Sequence, residues 1–191
     1  MIDVKRYFRK ITFTSSTASL RALGHPTRLR ILARLQLEGP STATECAAEV
    51  GESASACSYH LRTLARHGFV EEAASDDGRE RRWQPRMASI DFAAGADADE
   101  EFQAASALAR AALLELSDGN VRDYLEHERS FSSAWREAAA FLQTTIVATP
   151  SELTDLAHAI QALLAEYAPS ARAKPRGART VNVSVRAVPK P

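Results

Sequence analysis

The chain predicts a mainly α fold with small β elements: a helix-turn-helix carrying a two-stranded ribbon, then a long helix, then a small α+β module. Three observations carry this. Between Leu20 and Pro85, helix starts and stops recur at short intervals, at His25-Pro26-Thr27-Arg28, Gly39-Pro40, Thr42-Ala43-Thr44-Glu45, Gly51-Glu52 and Gly68. The run Ser75-Asp76-Asp77-Gly78-Arg79 then has the composition of a hairpin turn. From Asp97-Ala98-Asp99-Glu100 onward the chain is Ala-rich and free of breakers as far as Leu116.

Each element has its own physical basis. Pro26 suits the first turn of a helix, where its missing N–H would have no partner, and His25 before it can cap that helix. Leu29, Ile31, Leu32 and Leu35 form its broad apolar face, with Arg30 and Arg34 on the opposite side. Gly39-Pro40 stops it. Thr42 and Glu45 form a capping box for a short helix, and Gly51 supplies the bend into the next, spanning 53–67. In that second helix Cys57, His60, Leu61 and Leu64 share one side, leaving Ser55, Ser58, Tyr59, Arg62 and Thr63 for solvent or a ligand. Gly68 ends it as a left-handed cap. The ribbon, 69–86, turns its Phe69-Val70 and Trp83 inward and carries Arg79, Arg81 and Arg82 at and after its turn. Two helices joined by a tight bend and followed by a basic ribbon can place one helix in the DNA major groove while the ribbon touches backbone or minor groove.

The long helix after residue 97 carries an apolar stripe of Phe102, Ala105, Leu108, Ala109, Ala112, Leu113 and Leu116. Packing within one subunit and pairing across a dimer both explain it. Gly119 is expected to break the helix, with Val121–Glu128 resuming it. Phe141–Ala148 is rich in strand formers. Thr149-Pro150-Ser151-Glu152 is a second capping box, opening a helix from Pro150 to Tyr167 whose apolar face is Leu153, Leu156, Ala157, Ile160, Leu163 and Leu164. Thr180–Ala187 alternates strictly enough for a strand with one buried face. The aromatics Phe131, Trp135, Phe141 and Tyr167 either fill a core or line an apolar pocket.

Composition bounds the function. The 191 residues, 45% of them apolar, support one or two small domains, and net charge is zero. The charge is unevenly placed: residues 1–86 hold 14 Lys/Arg against 10 Asp/Glu, whereas 91–166 hold 4 against 14. A basic first part suits phosphate, and an acidic middle suits a surface turned away from it. No apolar run approaches a membrane span and no secretory signal opens the chain, so a cytoplasmic protein without a membrane partner is expected. Cys46 and Cys57 stand where their helices want apolar residues and read as buried thiols, an oxidisable pair being the alternative. Metal sites need three or four converging ligands, and no such spacing is found, so no metal and no cofactor is expected. A Gly-rich phosphate loop, a Gly-x-Ser-x-Gly elbow and a convergent His/Asp/Glu set are all missing, which argues against an enzyme.

The run Leu23-Gly24-His25-Pro26-Thr27-Arg28-Leu29-Arg30-Ile31-Leu32 resembles the opening helix of the arsenic-repressor-like (ArsR-type) winged-helix regulators. Ser58-Tyr59-His60-Leu61-Arg62-Thr63-Leu64, followed by Gly68-Phe69-Val70, resembles their recognition helix and its exit into the wing. The likeness covers about residues 11–88. It implies a homodimeric repressor that reads a palindromic operator, with Ser55, Ala56, Ser58, Tyr59 and Arg62 toward the major groove and Arg79, Arg81 or Arg82 as wing contacts. It also implies dimer contacts through the long-helix stripe and the segment near Leu20. The closely spaced cysteines of the family's metal sensors are absent. The organisation expected is then 11–88 for DNA, 95–128 for dimerisation helices, and 130–191 for a small α+β module. That last part resembles the extensions of larger actinobacterial members, and implies a small organic or protein effector or simply a larger dimer. A winged-helix module that docks proteins and binds no specific DNA is the competing reading.

Overall fold

Capping side chains set the helix starts in the computed structural model, which describes residues 16–74, 80–86, 99–167 and 175–190. Helix α1 (Thr17–Leu23) opens at Ser16, whose hydroxyl accepts from the Ser19 amide. Helix α2 (Pro26–Glu38) opens at His25, whose Nδ1 accepts from the Thr27 amide at 3.2 Å. Helix α3 (Ala43–Val50) carries the complete Thr42–Glu45 capping box, and α4 (Ala54–Arg66) starts at the Ser53 hydroxyl. Between α3 and α4, Gly51 adopts the left-handed conformation with φ 70°, which a side chain would resist. Gly68, at φ 75°, turns the chain out of α4 while Phe69 N–H closes onto Leu64 C=O.

Strands β1 (Val70–Glu72) and β2 (Trp83–Pro85) pair antiparallel with Glu71 opposite Gln84. Trp83 also exchanges both backbone hydrogen bonds with Ser41, so the segment entering α3 lies on the far edge of β2. The expected Asp-Gly turn falls at 75–79, outside the described residues.

The chain divides into two compact units, Met1–Leu116 and Ser117–Pro191. The core of the first gathers Leu20, Leu23, Ile31, Leu35, Leu61, Leu64, Phe69 and Val70, all essentially removed from solvent. Each large aliphatic side chain buried this way contributes on the order of 1.5–3 kcal/mol. Helix α5 (Glu100–His127) joins this core through Ala105, Ala109 and Ala112, with Phe102 and Leu116 packed beside them. Small residues on α5 permit close approach, and so does Gly24: a Cβ there would stand 2.6 Å from Leu108 Cγ.

Three expectations require correction. Gly119 does not break α5, which runs unbroken to His127; one glycine costs a helix only about 1 kcal/mol, which the Ala- and Leu-rich turns of the preceding 104–116 outweigh. Helix α6 (Ser133–Ala138) was not expected, whereas α7 (Pro150–Ala165) starts at the expected capping box. The expected strands at 141–148 and 180–187 form no ladder and make no backbone–backbone hydrogen bond among the described residues. In the second unit α6 and α7 bury no residue at all. No helix among the described residues is long and apolar enough to cross a membrane.

Candidate nucleic-acid interface

Helix α4 presents two faces of opposite character. Cys57, His60, Leu61, Thr63 and Leu64 turn into the core. Ser55, Tyr59 and Arg62 are exposed on the other side, with Ala56 and Ser58 half-buried between them. Among the described residues Arg62 makes no hydrogen bond or ion pair, so its guanidinium is available. Thr63 departs from expectation. It is buried, its hydroxyl donates to the Tyr59 carbonyl at 3.0 Å and accepts from Arg66 at 3.0 Å. Thr63 lies one residue past Arg62, about 100° further round the helix, which carries it onto the inner side.

The inner side is braced by polar as well as apolar contacts. The His25 and His60 rings lie 4.7 Å apart, so the cap of α2 touches the middle of α4. Burial, then His25 and Arg28, holds His60 below its ordinary pKa, and burial followed by Arg28 does the same to His25. His60 Nδ1 is buried without a hydrogen-bond partner among the described residues, which also disfavours the imidazolium. Arg28 sends a guanidinium N–H to the Ala22 carbonyl, tying α2 back to α1. Burial pushes the Cys46 thiol up to about 11 and raises Cys57 as well, so both stay protonated in the core as small apolar groups.

The ribbon's basic residues have distinct roles. Arg81 is exposed, 3.1 Å from Glu72 and stacked 5.8 Å above the Trp83 ring. Arg86 pairs with Glu71 at 3.3 Å. Exposed pairs of this kind hold their partners by about 0–1 kcal/mol and exchange readily for a phosphate. Arg82 differs: it donates twice to the Pro40 carbonyl and to both Glu45 oxygens, at 3.2 and 3.0 Å. Glu45 is at once the capping carboxylate of α3, and the Thr42 amide foremost, with Arg82, holds its pKa below the ordinary value. Arg82 therefore fastens the entry of β2 to the start of α3, where a free wing contact was expected. Sequence reasoning missed this because the partner lies 37 residues away. Arg79 lies outside the described residues.

Residues 23–73 match the family model described as a helix-turn-helix domain. No curated protein matches the chain. The matched span contains α2, α3, the Gly51 bend, α4 and β1, so the chain carries a helix-turn-helix domain of the kind used in DNA-binding regulation.

The expected dimer stripe is largely spent inside the chain. Leu20, Ala105, Ala109 and Ala112 are buried, and Phe102 and Leu116 pack on the same core; only Leu108 and Leu113 remain open, 50% and 40% exposed. A stripe of small and large apolar residues has the same period whether it faces its own core or another copy. In the second unit Phe131 and Phe141 meet around Tyr124, at 5.5 and 6.2 Å between ring centres. Phe141 and Tyr167 are both more than half exposed, and of the expected aromatic set Phe131 and Phe141 join Tyr124 in an open cluster. Among the described residues no group of three or more His, Cys, Asp and Glu could hold a metal ion.

Proposed function

We propose that this chain is a transcriptional repressor that binds DNA as a homodimer, with α4 in the major groove and the wing on the flanking backbone. The observation that carries it is the outward face of α4. Ser55, Ser58, Tyr59 and the uncommitted Arg62 suit base edges and phosphates, and a fully packed core holds them rigid from behind. The likeness of residues 23–32 and 58–70 to ArsR-type regulators supports the same reading. Arg81 joins α4 as a phosphate contact, and Arg79 is proposed beside it from sequence alone. Residues 11–88 are thus assigned to DNA, and Leu108 and Leu113 are the part of the 95–128 stripe still open to a second copy.

One recognition helix covers only a few base pairs, so a dyad-related pair supplies the affinity and palindromic site of a repressor. The effector is proposed to be a small organic molecule or a protein acting through residues 130–191. It can release DNA only by preferring a dimer in which the two α4 helices no longer match successive major grooves. Selection of tight binders from a pool of random duplexes tests the reading. An inverted repeat whose half-sites lie about 10 base pairs apart is the expected product. Recovery of unrelated sequences with no common half-site would favour the protein-docking module instead.

A further inference from the structure

The base of the ribbon is fastened to the helices by side chains as well as by its ladder. Ser41 exchanges both backbone bonds with Trp83, and its hydroxyl accepts from Arg34 Nη1 at 3.0 Å. Arg34, on α2, also donates through Nε to the Glu45 carbonyl at 3.1 Å. The Glu45 carboxylate accepts from the Thr42 amide at 2.7 Å. Glu45 is therefore held by α2 and by its own helix start, which makes it a fixed anchor. Arg82 docks on that anchor through one planar guanidinium, with Nε and Nη2 on the Pro40 carbonyl and Nη2 on both carboxylate oxygens.

Arg81 has weaker moorings. Successive side chains of an extended chain leave on opposite faces, so Arg82 turned toward α3 sends Arg81 away from it. Among the described residues its partners are Glu72, in an exposed pair, and the Trp83 ring. Exposed pairs hold weakly. Arg81 also stands one residue beyond the last ribbon bond among the described residues, Ala73 N–H to Arg82 C=O at 2.9 Å. Its place is thus set by its neighbour's side chain more than by its own.

We propose that Arg82 and Glu45 are positioning residues for DNA binding: their pairing holds the wing where Arg81 meets a phosphate beside the groove entered by α4. This rests on the DNA-binding reading above, and it gives Arg82 no contact with DNA of its own. Ordering even two loose residues costs more than one exposed phosphate contact returns, so a detached wing forfeits the contact.

Binding of the full chain to a duplex from its own promoter region, and to an unrelated duplex, over a range of salt concentrations tests this in a double-mutant cycle. Arg81→Ala and Arg82→Ala are each expected to lower the salt slope by about one and to weaken binding roughly five- to tenfold at about 0.1 M salt. The double variant is expected to lower the slope by about one as well, because the contact can be lost only once. A fall of about two in the double variant would make Arg82 a phosphate contact in its own right and overturn the inference. An Arg82→Ala slope equal to wild type would overturn it too. Partial unfolding does not imitate the expected result, since it lowers the active concentration and leaves the slope of the folded fraction unchanged. Glu45→Gln is the second arm. Glutamine keeps the capping box of α3 and removes the charge that holds Arg82. Loss of a carboxylate near phosphate by itself tightens DNA binding. Weaker binding, with a slope lower by about one, is nevertheless the expected result, and tighter or unchanged binding would overturn the inference. In every variant the affinity ratio between the two duplexes is expected to stay within about twofold of wild type, because base contacts on α4 are untouched. A collapsed ratio would place the effect on α4 and overturn it. Wild type that binds neither duplex in a salt-dependent way is a separate outcome, which would overturn the DNA-binding reading itself.

Discussion

Arg62 and Arg82 are both arginines near the proposed interface, and their surroundings give them opposite expected behaviour. Arg62 is exposed and uncommitted, so Arg62→Ala should leave thermal stability unchanged and cost about 1–3 kcal/mol in specific DNA affinity if it meets a base. Equal affinity for wild type and variant in a gel-shift titration would remove it from the interface. Arg82→Ala should act on the fold instead. Losing its contacts to Pro40 and Glu45 is expected to cost about 1 kcal/mol of stability, a modest sum because the pair is partly solvated. Urea denaturation of the two variants should therefore separate them. Two histidines set a further expectation. His25 and His60 are held below their ordinary value of 6.5, so the unfolded chain takes up protons first. Stability is then full above about pH 6.5 and falls as pH drops below it. Arg28 sets like charge against both rings and Arg30 against His25, while the Glu52 carboxylate opposes them at both. His60→Gln should flatten the decline in melting temperature between about pH 7 and pH 5. An unaltered slope would show that His60 titrates as it does in the unfolded chain.

At the scale of elements, the local chemistry of helix ends was the most legible part of the sequence. His25, Thr42 and Thr149 each cap the helix that follows, as expected, because a cap depends only on residues within one turn. Continuity and pairing were less legible. Gly119 looks like a stop, yet α5 passes through it, since the Ala- and Leu-rich turns before it outweigh one poor helix former. The stripe on α5 reads identically for a core and for a dimer, and the structure assigns most of it to the core. The α4 face was legible from its period, apart from Thr63, which stands at the margin of the inner side and closes its hydroxyl onto Tyr59. Gly24 was seen only as part of a family-like motif; its packing reason is the Leu108 side chain against it. Gly24→Ala is expected to destabilise by about 1 kcal/mol, and Leu108→Ala should relieve that cost in a double-mutant cycle. Additive effects of the two substitutions would mean that the corner between α1 and α2 adjusts without Leu108.

At the scale of the whole molecule, net charge of zero conceals a basic first part, 14 Lys/Arg against 10 Asp/Glu over residues 1–86. Phosphate binding by that part predicts a steep salt dependence that the overall charge does not suggest. Arg81→Ala should weaken specific and non-specific DNA alike and reduce the salt slope by about one, because a phosphate contact carries no sequence information. The most direct measurement of the central claim is the dissociation constant of the full chain for a duplex from its own promoter region, beside an unrelated duplex, over a range of salt concentrations. The expected result is a dissociation constant that rises steeply with salt for both, with the promoter duplex bound at least about 10³-fold more tightly. Binding that is insensitive to salt, or equal for the two duplexes, would contradict a sequence-reading role for α4.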